Sequence, residues 1–84
     1  MKAYQVLEGE YEEMGGYTRF ELVATYLNKE RALEHCRKLA EEYPLYGDQL
    51  IESDFNERNG IKDWDVMGWD IVTIVRFKEI DITE

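Results

Sequence analysis

"SDFNERNGIKDWD", Ser53 to Asp65, separates an amphipathic segment from a long β-prone one, and its reading decides how many elements the fold holds. Acidic and amide side chains alternate around Gly60, which invites a calcium-loop reading. An EF-hand loop needs oxygen ligands at positions 1, 3 and 5, glycine at 6 and a bidentate Glu at 12. Counted from Asp54, the third position is Asn56, but the fifth is Arg58, the sixth Asn59 and the twelfth Asp65. A cation stands where a ligand oxygen is required, and the glycine arrives one residue late. The stretch therefore reads as a solvated acidic loop closed by an Asn59-Gly60 turn, with Gly60 at positive φ. Around it, residues 45–68 form an excursion. It either holds a short helix, capped by Asp48 and anchored by Leu50, Ile51 and Phe55, or runs irregularly.

On the N-terminal side of that excursion lies "NKERALEHCRKLAEEY", Asn28 to Tyr43. Asn28 is a favourable N-cap. Ala32, Leu33, Cys36, Leu39, Ala40 and Tyr43 recur at three- and four-residue spacings, which makes one apolar helical stripe. Pro44 is the expected stop. On the C-terminal side, Trp69 to Ile82 reads as a strand with Trp69, Ile71, Val75 and Phe77 on one face and Val72, Ile74, Ile80 and Ile82 on the other. At the N-terminus, "KAYQVLE" has apolar residues on both faces, as a central strand does. Gly15-Gly16 is a turn signal, and "YTRFELVATYL" alternates with Phe20, Leu22, Ala24 and Tyr26 on one face.

These elements predict one small α+β domain over residues 1–84. A three-stranded, mainly antiparallel sheet of order 2-1-3 packs against one amphipathic helix (ββαβ), with a right-handed crossover making strands two and three parallel. The row Val23, Val72, Ile74, Ile80 and Ile82 is left on the face away from the helix. The 45–68 excursion is the expected cover for that row, and a dimer across it is the alternative.

A chain of 84 residues buries roughly 60–65% of its unfolded surface, which suits one helix layer on one sheet layer rather than a deep enclosed cavity. Hydrophobic residues make up 44%, enough for a packed core. Neither a secretory h-region nor an apolar run of the ~18 residues a membrane span requires is visible. One cysteine fits a reducing compartment, and the expected location is cytoplasmic. Nineteen acids against ten bases give a net charge of −9, which argues against direct nucleic-acid or anionic-membrane binding and in favour of a basic protein partner. Much of the acidity is local. Residues 45–70 hold seven acids against Arg58 and Lys62, whereas the helix segment is balanced.

Enzyme chemistry finds little to work with. Adjacent helical residues point about 100° apart, so His35 and Cys36 do not converge, and Cys36 lies in the buried stripe. One Cys and one His cannot complete a tetrahedral zinc site. The paired carboxylates of "EGEYEE" and "DWDVMGWD" read as solvated charge on connections, and no glycine loop precedes a helix. No catalytic residue, metal or cofactor is expected. Aromatics among acids are more informative, because Trp and Tyr anchor protein interfaces and flanking carboxylates select basic partners. The candidate partner-binding residues are Glu10, Tyr11, Glu12, Glu13, Asp54, Glu57, Asp63, Trp64 and Asp65. Packing of Trp69 in the core is the ordinary alternative for that tryptophan.

"AYQVLEGEYEEMGG" followed by an alternating strand and "NKERALEHCRKL" resembles small single-domain proteins of bacteriophage and bacterial genomes. Their plan is an opening strand like V-Y-x-V-x-E-G-E-Y, a second strand, an "S/N-x-E-x-A" helix and a final strand. The resemblance covers about the first half and the last strand, and residues 45–68 depart from it. It implies the ββαβ fold and carries no catalytic residues to transfer. By size and charge the chain is also similar to anti-host inhibitors, anti-CRISPR proteins among them. The expected function is a non-enzymatic acidic protein-binding module, of the kind a phage or mobile element uses as an inhibitor or nucleic-acid mimic, that occupies a basic surface of a host nucleic-acid-handling protein as monomer or homodimer. The alternatives are a ligand-binding or enzymatic domain using a cleft between helix and excursion, or a homodimeric structural module.

Overall fold

The computed structural model describes residues 1–12, 18–43, 49–68 and 71–83, without the side chains of Glu12 and Thr18. Five strands and one helix follow in the order β1 (Lys2–Glu12), β2 (Thr18–Tyr26), α1 (Lys29–Glu42), β3 (Leu50–Glu52), β4 (Ile61–Met67) and β5 (Ile71–Asp81). They form one sheet of order β2-β1-β5-β4-β3, antiparallel at every neighbouring pair. This overturns the expected three-stranded sheet of order 2-1-3. Both extra strands come from the 45–68 excursion, whose described part is a β-hairpin rather than a short helix.

The hairpin has a local cause. Gly60 adopts φ +71, which the Asn59-Gly60 pair anticipates. The Asn56 and Asn59 side chains accept from the Arg58 and Ile61 amides, and the Asn56 amide donates to the Ile61 carbonyl at 2.9 Å. Loop polarity is thus spent on closing the turn. Beyond it, Lys62, Trp64 and Val66 pair with Phe77, Val75 and Thr73 on the helix side, while Asp63 and Asp65 point the other way. Acids at alternate positions made a half-open strand look like a loop.

The helix begins at Asn28, whose Oδ1 accepts from the Arg31 amide at 3.1 Å. It ends at Glu42, with the Tyr43 amide bonded to the Ala40 carbonyl. The Pro44 stop and the Asp48 cap lie outside the described residues, as do the Gly15-Gly16 turn and Trp69. Ala32, Cys36 and Ala40 are fully buried, and these small side chains set the helix down on Val6, Val75, Phe77, Trp64 and Val66. Phe77 stacks on Tyr4 with centroids 5.7 Å apart and meets the edge of Phe55 at 6.0 Å. Burying one such aliphatic or phenyl side chain stabilises by roughly 1.5–3 kcal/mol.

One irregularity redirects β2. Its register on β1 shifts between Val6, opposite Ala24, and Leu7, opposite Leu22, so Val23 is an inserted residue. A bulge reverses the alternation. Ala24 and Tyr26 therefore face the helix, whereas Phe20 and Leu22 turn to the opposite side, which corrects the single-face reading of those four residues.

Candidate functional site: the open face of the sheet

The helix covers one face of the sheet, and no described element packs over the other. The hairpin expected to cover it instead extends the sheet edgewise. Strand register orders the side chains of this open face into rows across the strands. One row reads Ile51, Asp65, Ile74, Gly9 and Phe20, one residue from each of β3, β4, β5, β1 and β2. The next reads Asp63, Arg76, Leu7 and Leu22, and a flanking row holds Met67, Val72 and Tyr11. Leu22 and Ile51, both large aliphatic residues, are 56% and 49% exposed. They stand on the two edge strands, with Met67, Val72 and Ile74 part-buried between them, and apolar side chains spread over one uncovered face mark it as a candidate interaction surface.

A charged device runs through the apolar rows. Asp63 accepts from Arg76 Nε at 2.8 Å and Nη2 at 3.1 Å, a bidentate pair that fixes the guanidinium plane. On its other side the guanidinium carbon lies 4.1 Å from the Phe20 ring centroid. Phe20 reaches it across β1 because residue 9 is glycine. A Cβ at Gly9 would stand 2.8 Å from Phe20 Cδ1 and 2.7 Å from the Arg19 carbonyl oxygen. Asp65 lies beside this pair with Ile51 and Ile74 as its cross-strand neighbours. Its Oδ1 is buried and finds no hydrogen-bond partner among the described residues. Burial raises the Asp65 carboxyl above the usual carboxylate range, Asp63 pushes the same way, and Arg76 opposes them.

The candidate residues named from sequence do not share one surface. Tyr11, Asp63 and Asp65 belong to the open face. Glu10 sits on the helix side, opposite Thr73 and Arg19. Asp54 and Glu57 are exposed in the β3–β4 loop, at the opposite end of the sheet from Glu10 and Tyr11. Glu12 ends β1 with its side chain undescribed, and Glu13 lies outside the described residues. Trp64 is only 1% exposed and belongs to the core, with Nε1 donating to Glu52 Oε1 at 2.6 Å. Its flanking acids suggested a surface residue, but strand alternation sends Trp64 inward and Asp63 and Asp65 outward. Arg76, Phe20 and Gly9 escaped sequence reasoning. The lone arginine within "IVTIVRF" was the available signal.

Other chemistry is engaged in the framework. Cys36 is sealed beneath the helix, and burial pushes its thiol up to about 12, far from a reactive thiolate. The Tyr43 hydroxyl donates to Glu8, and burial together with that bond pushes its titration up. A shallow groove of about 360 Å³ on the β2 side of the helix is lined by Tyr26, Arg31, Glu34, His35 and Lys38. There the Tyr26 hydroxyl lies 2.9 Å from His35 Nδ1, and Lys38 pairs with Glu34 at 3.1 Å. Among the described residues no cluster of three potential metal ligands occurs, and no helix is long and apolar enough to cross a membrane.

No protein-family model, curated protein or solved structure matches the chain.

Proposed function

We propose that the protein is a non-enzymatic binding module that docks another protein on the open face of its sheet. The observation that carries this reading is the open face itself, with Leu22, Ile51, Ile74, Val72 and Met67 presented around the Asp63–Arg76 pair. Apolar side chains supply the desolvated centre of an interface, and the net charge of −9 steers basic partners toward it. The partner class is a host protein that handles nucleic acid, whose cationic groove the acidic module occupies in place of phosphates. The size and the charge support that assignment.

The test compares immobilised wild-type protein with a Leu22→Glu, Ile51→Lys variant in host lysate. Both substitutions lie on the uncovered face, so circular dichroism should show an intact fold. Capture of a nucleic-acid-binding protein by the wild type alone, released by added DNA oligonucleotide and by rising salt, is the expected result. Equal capture by the variant overturns the surface assignment. A dimer of the wild type in light scattering, lost in the variant, assigns the face to a second copy instead.

A further inference from the structure

The open face has an acceptor that its own sheet leaves unused. Asp63 and Asp65 stand two residues apart on one side of β4, and the cation beside them is already committed. Arg76 gives two hydrogen bonds to Asp63 through Nε and Nη2, and one face of its guanidinium lies against Phe20. Lys62, one residue from Asp63, points to the helix side, where it donates to the Ser53 carbonyl and lies over the Trp64 ring. The local sum over Asp63, Asp65 and Arg76 is therefore −1. The charge left over rests on Asp65, a part-exposed residue whose Oδ1 is buried and has no hydrogen-bond partner among the described residues. A carboxylate desolvated in this way gains from a cation far more than an exposed one does. Ile51 and Ile74 flank it on adjacent strands, each about 4.8 Å away in the pairing direction.

We propose that the open face takes a partner segment presenting a lysine or arginine between apolar side chains, with the cation seated on Asp65 and its neighbours on Ile51 and Ile74. This rests on the docking reading above and adds the chemistry of what is docked. A carboxylate rim alone would favour any basic surface. One part-buried carboxylate between two aliphatic residues instead favours a single cation in an apolar setting. Asp65 then supplies specificity rather than general attraction, because a partner with an apolar residue at the seat would leave the carboxylate buried and unpaired.

The proposal is tested with a displayed library of random twelve-residue peptides selected against the wild-type protein. Enriched peptides should carry Lys or Arg flanked by apolar residues. A fluorescein-labelled representative should then lose about 10-fold or more of its affinity on Asp65→Asn, as close charge pairs at interfaces do. The same peptide with its cation replaced by methionine should bind Asp65→Asn at least as tightly as wild type, so that the loss on Asp65→Asn is confined to the cationic peptide, which closes a double-mutant cycle. Asp65→Thr, a stronger strand former, repeats the measurement if the asparagine variant misfolds. Peptides that are apolar without a basic preference, and that lose binding on Leu22→Glu, would overturn the cation seat while keeping the docking face. Binding indifferent to both Asp65→Asn and Leu22→Glu would overturn the seat and the docking face together, as would no enrichment over a bare support.

Discussion

Gly9→Ala tests whether the open face is organised by an aromatic ring laid across the central strand. The new Cβ would meet Phe20 Cδ1 at 2.8 Å and the Arg19 carbonyl oxygen at 2.7 Å, separations that real Cβ atoms essentially never show. The ring must swing away, and with it goes the 4.1 Å contact on the Arg76 guanidinium. Overpacking of this kind costs about 1–3 kcal/mol. The lost cation–π contact adds roughly 0.5–1 kcal/mol at a part-exposed site. Alanine returns about 0.5–1 kcal/mol, because glycine is entropically costly within a strand. The net loss is about 2 kcal/mol, a fall in Tm of roughly 8–16 °C for a domain this small. Thermal and urea unfolding followed by far-UV circular dichroism measure it. In a Phe20→Leu background the same substitution should cost less, since the ring is gone and only the carbonyl contact remains. Gly9→Ala that is as stable as wild type, or equally costly in both backgrounds, would refute the arrangement.

Three further substitutions probe the frame. Asn28→Ala removes the Oδ1 that accepts from the Arg31 amide and should cost about 1 kcal/mol in urea unfolding with the fold unchanged. Trp64→Ala empties the core beneath the helix and should cost about 3–5 kcal/mol, enough to unfold most of a domain this size, while Trp64→Phe remains folded by circular dichroism. Asp65→Asn should raise the urea midpoint at neutral pH. The folded-state carboxyl is raised, so folded protein holds that proton more tightly and wild-type stability falls as pH rises through its titration. The advantage of the asparagine variant should therefore shrink toward ~pH 3.9, where the unfolded carboxyl titrates, and an advantage independent of pH would contradict the assignment.

The helix was legible because its signals are local. Asn28 caps it, and Ala32, Cys36 and Ala40 recur on one face whatever the tertiary surroundings. The β3–β4 hairpin was half legible. Asn59-Gly60 is a hairpin signal in its own right, and Lys62, Trp64 and Val66 alternate with Asp63 and Asp65, but acids on a solvent-facing strand resemble a loop until the sheet is known to be open. The slip in β2 left no local trace. Phe20, Leu22, Ala24 and Tyr26 alternate without a flaw, and the bulge at Val23 follows from how β2 pairs with β1. The candidate site suffered most from this. Acidic residues were visible individually, yet which of them share a face is set by register across the five strands.

Photo-crosslinking tests the docking face most directly. A benzophenone amino acid is placed at Leu22 or Ile51 on the open face and, in a third protein, at Arg37 on the exposed side of the helix. Each protein is irradiated in host lysate and separated by mass. Docking on the open face should give one covalent adduct of the same partner from Leu22 and from Ile51, and none from Arg37. An adduct from Arg37 with none from Leu22 and Ile51 would contradict it.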